Sequence, residues 1–150
     1  MYDIMKRLSV LAAAMLSFGI LTASADNDTP ITFEQLPASA QTFITAHFPK
    51  HKVAYAKEER DLMKVSYDVV FSDGTKLEFD KNGDWKEVDT KPATVPSAIV
   101  PERIATYIRT HYPDAAIVAI DRTPRKYEVE LSNGLDVKFD IRYNFIGVDD

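Results

Sequence analysis

Two stretches of the chain, residues 65–79 and 127–139, alternate between apolar and polar side chains around a central turn sequence. The apolar positions are Val65, Tyr67, Val69, Phe71, Leu77 and Phe79 in the first, and Tyr127, Val129, Leu131, Val137 and Phe139 in the second. A period of two is typical of strands that bury one face, and the intervening Ser-Asp-Gly and Ser-Asn-Gly sequences favour turns. Each stretch therefore predicts an antiparallel hairpin with one apolar side. Further strands are expected at 52–57, 85–88, 116–121 and 145–148.

A helical pattern precedes each hairpin. The apolar positions recur every three or four residues and are Leu36, Ala40, Phe43, Ile44 and His47, then Val100, Ile104, Tyr107, Ile108 and His111. Pro37 and Pro101 suit the first helical position, where the missing N–H costs nothing, and Pro49 and Pro113 end each helix about three turns later. Each predicted helix therefore has a single apolar face to bury.

The two halves of the chain resemble each other in sequence. Residues 36–49 match 100–113 at five of 14 positions, and residues 67–80 match 127–140 at six of 14. Chance gives about one match over such a length. The offset changes from 64 to 60 around the charged segment 57–61, which indicates a longer hairpin tip in the first copy.

These patterns predict an α+β fold made of two tandem repeats, each a helix packed on one face of a four-stranded antiparallel sheet. The first repeat is assigned to residues 26–90 and the second to 91–150, with the polar segment 89–94 joining them. The sequence leaves open whether the two sheets join at their edges.

Residues 1–25 have the organisation of a secretory signal peptide. Lys6 and Arg7 precede an apolar run at 8–21, and Ala23-Ser24-Ala25 supplies small residues for cleavage after Ala25. The run is short for a membrane span of about 20 residues, although an uncleaved anchor is the alternative. The mature chain is therefore expected in the periplasm if the host has two membranes.

Composition excludes several classes of protein. The 150 residues contain no Cys, which excludes disulfides, thiolate metal sites, cysteine nucleophiles and a lipoprotein anchor. Lys and Arg number 18 against 23 Asp and Glu, so the net charge is -5, and no long basic run occurs. Nucleic acid and anionic membranes are consequently poor candidate partners.

The signal peptide, the paired Leu/Val-Pro…His-Phe/Tyr-Pro segments, the Ser-Asp/Asn-Gly turns and the Phe-Asp strand ends together resemble the PepSY-like periplasmic proteins. Those proteins are similar in fold to the beta-lactamase inhibitor protein, a tandem repeat with helices on one side of a sheet and a free concave face on the other. The resemblance implies no established activity. It also supplies no inhibitor contact residue that matches a position in this chain.

The three histidines are His47, His51 and His111. His47 and His51 have the spacing of two helical metal ligands, but Pro49 ends the helix between them. His47 and His111 occupy the same repeat position, so capping of the helix C-terminus is the favoured interpretation. The segment 80–84 contains Asn-Gly between two strands and lacks the spacing of a calcium loop, so a turn is predicted there.

The sequence contains no nucleophile elbow, phosphate loop or dinucleotide fingerprint. We therefore expect no enzymatic activity, no cofactor and no metal site. A hydrolase of unknown type is the enzymatic alternative, and it would require a perturbed carboxylate or histidine in a pocket.

The sheet face away from the helices is the candidate protein-binding face. It comprises Asp68, Lys76, Glu78, Trp85, Glu128, Glu130, Asp136, Lys138 and Tyr143. Trp85 shares this face if 82–83 form a two-residue turn, whereas a one-residue bulge moves it to the core, and the sequence leaves both registers open.

The function predicted from these features is a monomeric, non-catalytic binding or inhibitory module for another exported protein, such as a hydrolase or peptidase. The alternatives are a periplasmic sensor that binds a small ligand or a cation on the acidic face, and a solvated face with no ligand.

Overall fold

The computed structural model of the protein describes residues 27–150, and the predicted signal peptide lies outside them. The α-helices are α1 (Ala38–His47) and α2 (Glu102–His111), and a short 3-10 helix spans Phe33–Gln35. The strands are β1 (Asp28–Ile31), β2 (Val53–Asp61), β3 (Lys64–Phe71), β4 (Lys76–Asp80), β5 (Trp85–Asp89), β6 (Ile117–Arg122), β7 (Lys126–Leu131), β8 (Asp136–Asp140) and β9 (Phe145–Asp149). Neither helix is long and apolar enough to cross a membrane.

All nine strands form one antiparallel sheet in chain order, from β1 at one edge to β9 at the other. The predicted fold of two tandem repeats, each with its own four-stranded sheet, is therefore wrong. The finding that overturns it is the pairing of β5 with β6, in which Glu87, Val88 and Asp89 lie opposite Asp121, Ile120 and Ala119. This pairing satisfies the backbone groups of two strands that would otherwise be exposed edges. The division at residues 90 and 91 stays a prediction.

The strand β1 was not predicted from the sequence. It pairs with β2 over four residues and includes Pro30. A short edge strand with a proline has no clear alternation in its sequence, which explains why the pattern does not reveal it.

Both helices lie on the same face of the sheet. Phe43 of α1 contacts Phe79 edge to face at 5.6 Å between ring centres, and Tyr107 of α2 contacts Phe139 in the same way at 5.3 Å. The core between helices and sheet includes Ile44 and most of the apolar strand positions predicted to be buried. Pro37 and Pro101 were predicted at the first helical position, but the helices begin one residue later, at Ala38 and Glu102.

A β-bulge in β5 decides the orientation of Trp85. Glu78 lies opposite Glu87, but Phe79 lies opposite Trp85, so Lys86 is the extra residue. Because Phe79 is a core residue, Trp85 faces the helices and packs against the core, with its ring centre 6.4 Å from that of Phe43. The bulged register is therefore the observed one.

Gly83 allows the β4–β5 turn to approach the start of α1. Its φ is +83°, and an added Cβ would lie 2.8 Å from Pro37 Cβ and 2.9 Å from the backbone nitrogen of Ala40. Ser39 Oγ donates a hydrogen bond to the carbonyl of Asn82 at 2.6 Å, which fixes the same contact. Another turn glycine, Gly134 of the β7–β8 hairpin, has a φ of +90° and open space around it.

We predict that Gly83→Ala lowers the free energy of unfolding by about 3 kcal/mol, whereas Gly134→Ala lowers it by about 1 kcal/mol. Both substitutions place a side chain at positive φ, but only the first displaces the start of a helix. Urea unfolding followed by circular dichroism measures both values. Equal losses in the two variants would contradict the proposed contact between the turn and α1.

Candidate functional site

The face of the sheet away from α1 and α2, here called the open face, is covered by no helix or strand of residues 27–150. Strand pairing places side chains on it, because directly opposed residues of adjacent antiparallel strands point to the same face. The residues next to them along each strand point to the helices and form the core.

Five carboxylates lie directly opposite one another across the middle of the open face. They are Asp68, Glu78, Glu87, Asp121 and Glu128, one from each strand from β3 to β7. We call this set the carboxylate row. At the usual strand spacing it is about 19 Å long. Like charges placed directly opposite are destabilising, so folding alone does not favour this arrangement.

Lysines flank the row and form ion pairs mainly toward its ends. Lys57 lies opposite Asp68, with its Nζ 3.7 Å from the carboxylate, and Lys138 lies opposite Glu128. Lys86 Nζ lies 3.2 Å from Glu78, and Lys126 Nζ lies 3.2 Å from Glu128.

The two central members of the row, Glu87 and Asp121, have no ion-pair partner within 4 Å among residues 27–150. They lie opposite each other in β5 and β6, between Glu78 on one side and Glu128 on the other. The middle of the row is therefore a concentration of negative charge with no ion pair within 4 Å from this part of the chain, although the charges of Lys76 and Lys126 act on Glu87 and Asp121 from farther away.

The surroundings of the row raise the pKa of its central carboxyl groups. Burial, followed by the charges of Glu128 and Glu87, raises the pKa of Asp121 from 3.8 to about 6, and Lys126 offsets this in part. Burial also raises the pKa of Glu87, which the charge of Lys76 offsets in part and the charge of Glu78 increases. The protonated forms are thus favoured in the middle of the row relative to a carboxyl group in water.

A smaller acidic group continues the open face beside the row. Glu130 and Asp136 lie opposite each other in β7 and β8, and Lys91 Nζ is 2.7 Å from Glu130. Burial and the charges of Glu128 and Glu130 raise the pKa of Asp136.

The structure brings together seven of the nine residues predicted for the binding face. Those on the open face are Asp68, Lys76, Glu78, Glu128, Glu130, Asp136 and Lys138. Trp85 and Tyr143 instead lie on the helix side, where Tyr143 contacts Tyr127 at 5.2 Å between ring centres. The open face therefore lacks the two aromatic side chains that were predicted for it.

Sequence reasoning missed Glu87 and Asp121. Their strands, β5 and β6, were assigned to separate sheets, so their side chains had no reason to meet. The apolar spacing of three between Trp85 and Val88 was a signal for the bulge, which turns Trp85 to the helix side while Glu87, next to the buried Val88, lies on the open face.

The three histidines make local contacts. His111 Nδ1 is hydrogen-bonded to the carbonyl of Tyr107 near the end of α2, at 3.0 Å, in agreement with the predicted capping. The capping predicted for His47 is not observed, since its ring packs on Phe43 and forms no side-chain hydrogen bond within residues 27–150. His51 Nε2 lies 3.1 Å from an Asp73 carboxylate oxygen. No group of three His, Asp or Glu side chains in residues 27–150 is arranged to hold a metal ion.

The segment 80–84 is a turn, as predicted. Oδ1 of Asp80 accepts the backbone N–H groups of Asn82 and Asp84 at 2.8 and 3.1 Å. In the second half, Asp140 Oδ1 accepts the N–H groups of Arg142 and Asn144 in the same way.

Comparison with known families and structures identifies the relatives of this chain. A sequence model of the family described as "Putative beta-lactamase-inhibitor-like, PepSY-like" matches residues 65–147, from β3 into β9. The chain belongs to this PepSY-like family, which confirms the resemblance seen in the sequence. No functionally curated protein matches the chain.

Three solved structures from Bacteroides share the fold. A protein of Bacteroides vulgatus ATCC 8482, described as a putative periplasmic protein of the DUF2874 family, is 53% identical; the match covers 85% of this chain and 100% of that one, with a TM-score of 0.81. A protein of Bacteroides thetaiotaomicron, described as a putative calcium-regulated periplasmic protein, is 49% identical. The match covers 82% of this chain and 97% of that one, with a TM-score of 0.81. A second Bacteroides vulgatus ATCC 8482 protein, putatively periplasmic and of unknown function, is 40% identical, with coverages of 82% and 99% and a TM-score of 0.79.

We predict that Asp121→Asn stabilises the protein by about 1–2 kcal/mol at pH 7.5 and leaves its stability nearly unchanged at pH 4. A carboxyl group whose pKa is raised on folding contributes stability below pH 4 that is lost as the pH rises through about 6. The Asn side chain of the variant does not ionise, so this loss of stability does not occur in it. Urea unfolding at the two pH values measures the difference.

Asp114→Asn is the matched control, because it removes the same charge from an exposed position in the loop after α2. It is expected to change the stability by less than about 0.5 kcal/mol at either pH. A stabilisation by Asp121→Asn that is equal at pH 4 and pH 7.5 would contradict the assigned pKa.

Proposed function

We propose that this protein is an exported, non-catalytic binding module whose open face binds a positively charged ligand through the carboxylate row. The observation that carries the proposal is the row itself, with five directly opposed carboxylates and two central members, Glu87 and Asp121, that no cation of residues 27–150 pairs with. A bound cation would remove the repulsion among them.

The row is unfavourable for stability and is therefore better explained by binding. Glu87 and Asp121 lie at solvent-accessible positions of an antiparallel sheet, where Thr or Ser would give no repulsion. A site built for a cationic ligand is expected to carry such uncompensated charge, because electrostatic complementarity accelerates and orients binding.

A basic segment of another exported protein is our first candidate ligand. The row crosses five strands of an open surface, and its length of about 19 Å matches about six residues of an extended chain. Recognition would be mainly electrostatic, because Trp85 and Tyr143 are directed away from this face.

A divalent cation is the second candidate, because a relative that is 49% identical is described as a putative calcium-regulated periplasmic protein. Carboxylate oxygens are the ligands that calcium prefers. The present side-chain arrangement in residues 27–150 contains no ready group of three, so a cation would have to draw the carboxylates together.

Export is part of the proposal. Its support is the signal-peptide pattern of residues 1–25 and the description of all three relatives as putative periplasmic proteins.

We expect hexalysine to bind the protein in isothermal titration calorimetry at low salt. The double variant Glu87→Gln/Asp121→Asn is expected to weaken this binding about ten-fold, because it removes the two unpaired charges in the middle of the row. Binding is also expected to weaken in 0.5 M NaCl. A parallel titration with CaCl₂ tests the second candidate.

The matched control is Glu102→Gln/Asp114→Asn, which removes the same charge from exposed positions on α2 and the loop after it. Equal weakening in the two double variants would reduce the effect to net charge and contradict a site at the row. Saturable calcium binding that only the row variant loses would select the cation. Absence of binding for both probes would reject the proposed function.

A further inference from the structure

A cavity of about 660 Å³ opens at one end of the sheet, between the tips of two hairpins. The β2–β3 hairpin extends to the pair Asp61 and Lys64, whereas the pairing of β3 with β4 ends at Ser66 and Asp80. The β6–β7 hairpin projects on the other side. The shorter β4–β5 turn therefore forms the floor between two walls, and we call this cavity the notch.

The notch is locally basic in an acidic protein. Its lining includes Lys64, Lys81, Lys86 and Arg122, against two acidic residues in the floor turn, while the chain as a whole has a net charge of -5. The Asp80 carboxylate is already engaged by N–H groups of its own turn. Among the described residues, Lys64, Lys81 and Arg122 form no ion pair within 4 Å.

Arg122 is held in place by Trp85. Its guanidinium carbon lies 3.9 Å from the centre of the Trp85 ring, and its Nε donates a 2.7 Å hydrogen bond to the Trp85 carbonyl. These two contacts leave the Nη groups as further donors on a guanidinium of fixed orientation. Such a preorganised group is suited to a carboxylate or phosphate.

Lys64 and Lys86 lie close together on the other side of the notch. A hydrogen bond from the Lys86 ammonium group, which only the neutral amine of Lys64 can accept, and the positive charge of Lys86 lower the pKa of Lys64. Two neighbouring ammonium groups repel each other, and an anion placed between them would convert this repulsion into attraction.

Apolar side chains lie beside these cations. Met63, at the tip of the β2–β3 hairpin, is 97% exposed, and Pro124 on the opposite wall is also exposed. Leu62, next to Met63 in the same two-residue turn, is 98% exposed. Met63 lines the notch, so its exposed apolar surface is available to a ligand there.

We propose that the notch binds a small organic anion in which a carboxylate or phosphate group is attached to a short apolar chain. The anionic group would be attracted by Lys64, Lys86 and Arg122, which all line the notch, and the apolar chain would lie against Met63 and Pro124. This site is distinct from the carboxylate row and takes a ligand of opposite charge.

Trp85 is the single tryptophan of the chain and it lines the notch, so its fluorescence reports directly on occupancy. We expect octanoate or octyl phosphate to change this fluorescence saturably. The ligand that binds more tightly shows whether the site prefers a carboxylate or a phosphate group. Two control ligands are expected to bind at least about ten-fold more weakly than octanoate. They are octanamide, which has the same chain without the charge, and acetate, which has the charge without the chain.

Lys64→Gln is expected to weaken binding about five-fold or more, and Lys64→Arg to retain most of it. The matched control is Lys52→Gln, which removes a lysine from an exposed position at the opposite end of β2 and should leave binding unchanged. Lys64 is exposed, so urea unfolding should show that its replacement does not destabilise the fold.

Three results would overturn the proposal. They are the absence of a saturable response to both anions, octanamide binding as tight as that of octanoate, and equal weakening by Lys64→Gln and Lys52→Gln.

Discussion

The pairing of β5 with β6 is the contact on which the architecture of this protein depends. Only three residue pairs form it, but Val88 and Ile120 at its centre are almost completely buried under the helices. This pairing makes one nine-stranded sheet from two sets of strands and removes two exposed edges. It also places Glu87 directly opposite Asp121, so the two sets of strands meet in the middle of the candidate site.

The fold tolerates the carboxylate row because the opposite side of the sheet is so well packed. Val69, Leu77, Val88, Ile120 and Val129 form an apolar row, each next in sequence to one member of the carboxylate row. Burial of each such side chain contributes about 1.5–3 kcal/mol, whereas an opposed pair of like charges costs less than about 1 kcal/mol. The apolar row therefore fixes the register, and the pleat then aligns the carboxylates whether or not they repel.

The local pattern predicted the two helices, the central hairpins and the apolar side of each strand, because these depend on neighbours within a few residues. It did not predict that β5 pairs with β6, since alternation shows which face is buried but not which strand lies at an edge. For the same reason it missed Glu87 and Asp121. The orientation of Trp85 depended on one extra residue in β5, Lys86. The same apolar spacing of three, seen at Trp85 and Val88, recurs at Phe145 and Val148, and β9 also has a bulge there.

Lys86 connects the two candidate sites physically. Its Nζ lies 3.2 Å from Glu78 in the carboxylate row, and the same residue lines the notch. An anion in the notch would compete with Glu78 for this ammonium group, which would leave a third member of the row without a counterion. Binding of an anion at the notch and of a cation at the row would then favour each other, and thermodynamic linkage requires the effect to be equal in both directions. The bulge that turns Trp85 toward the core therefore also places a lysine that the two surfaces share.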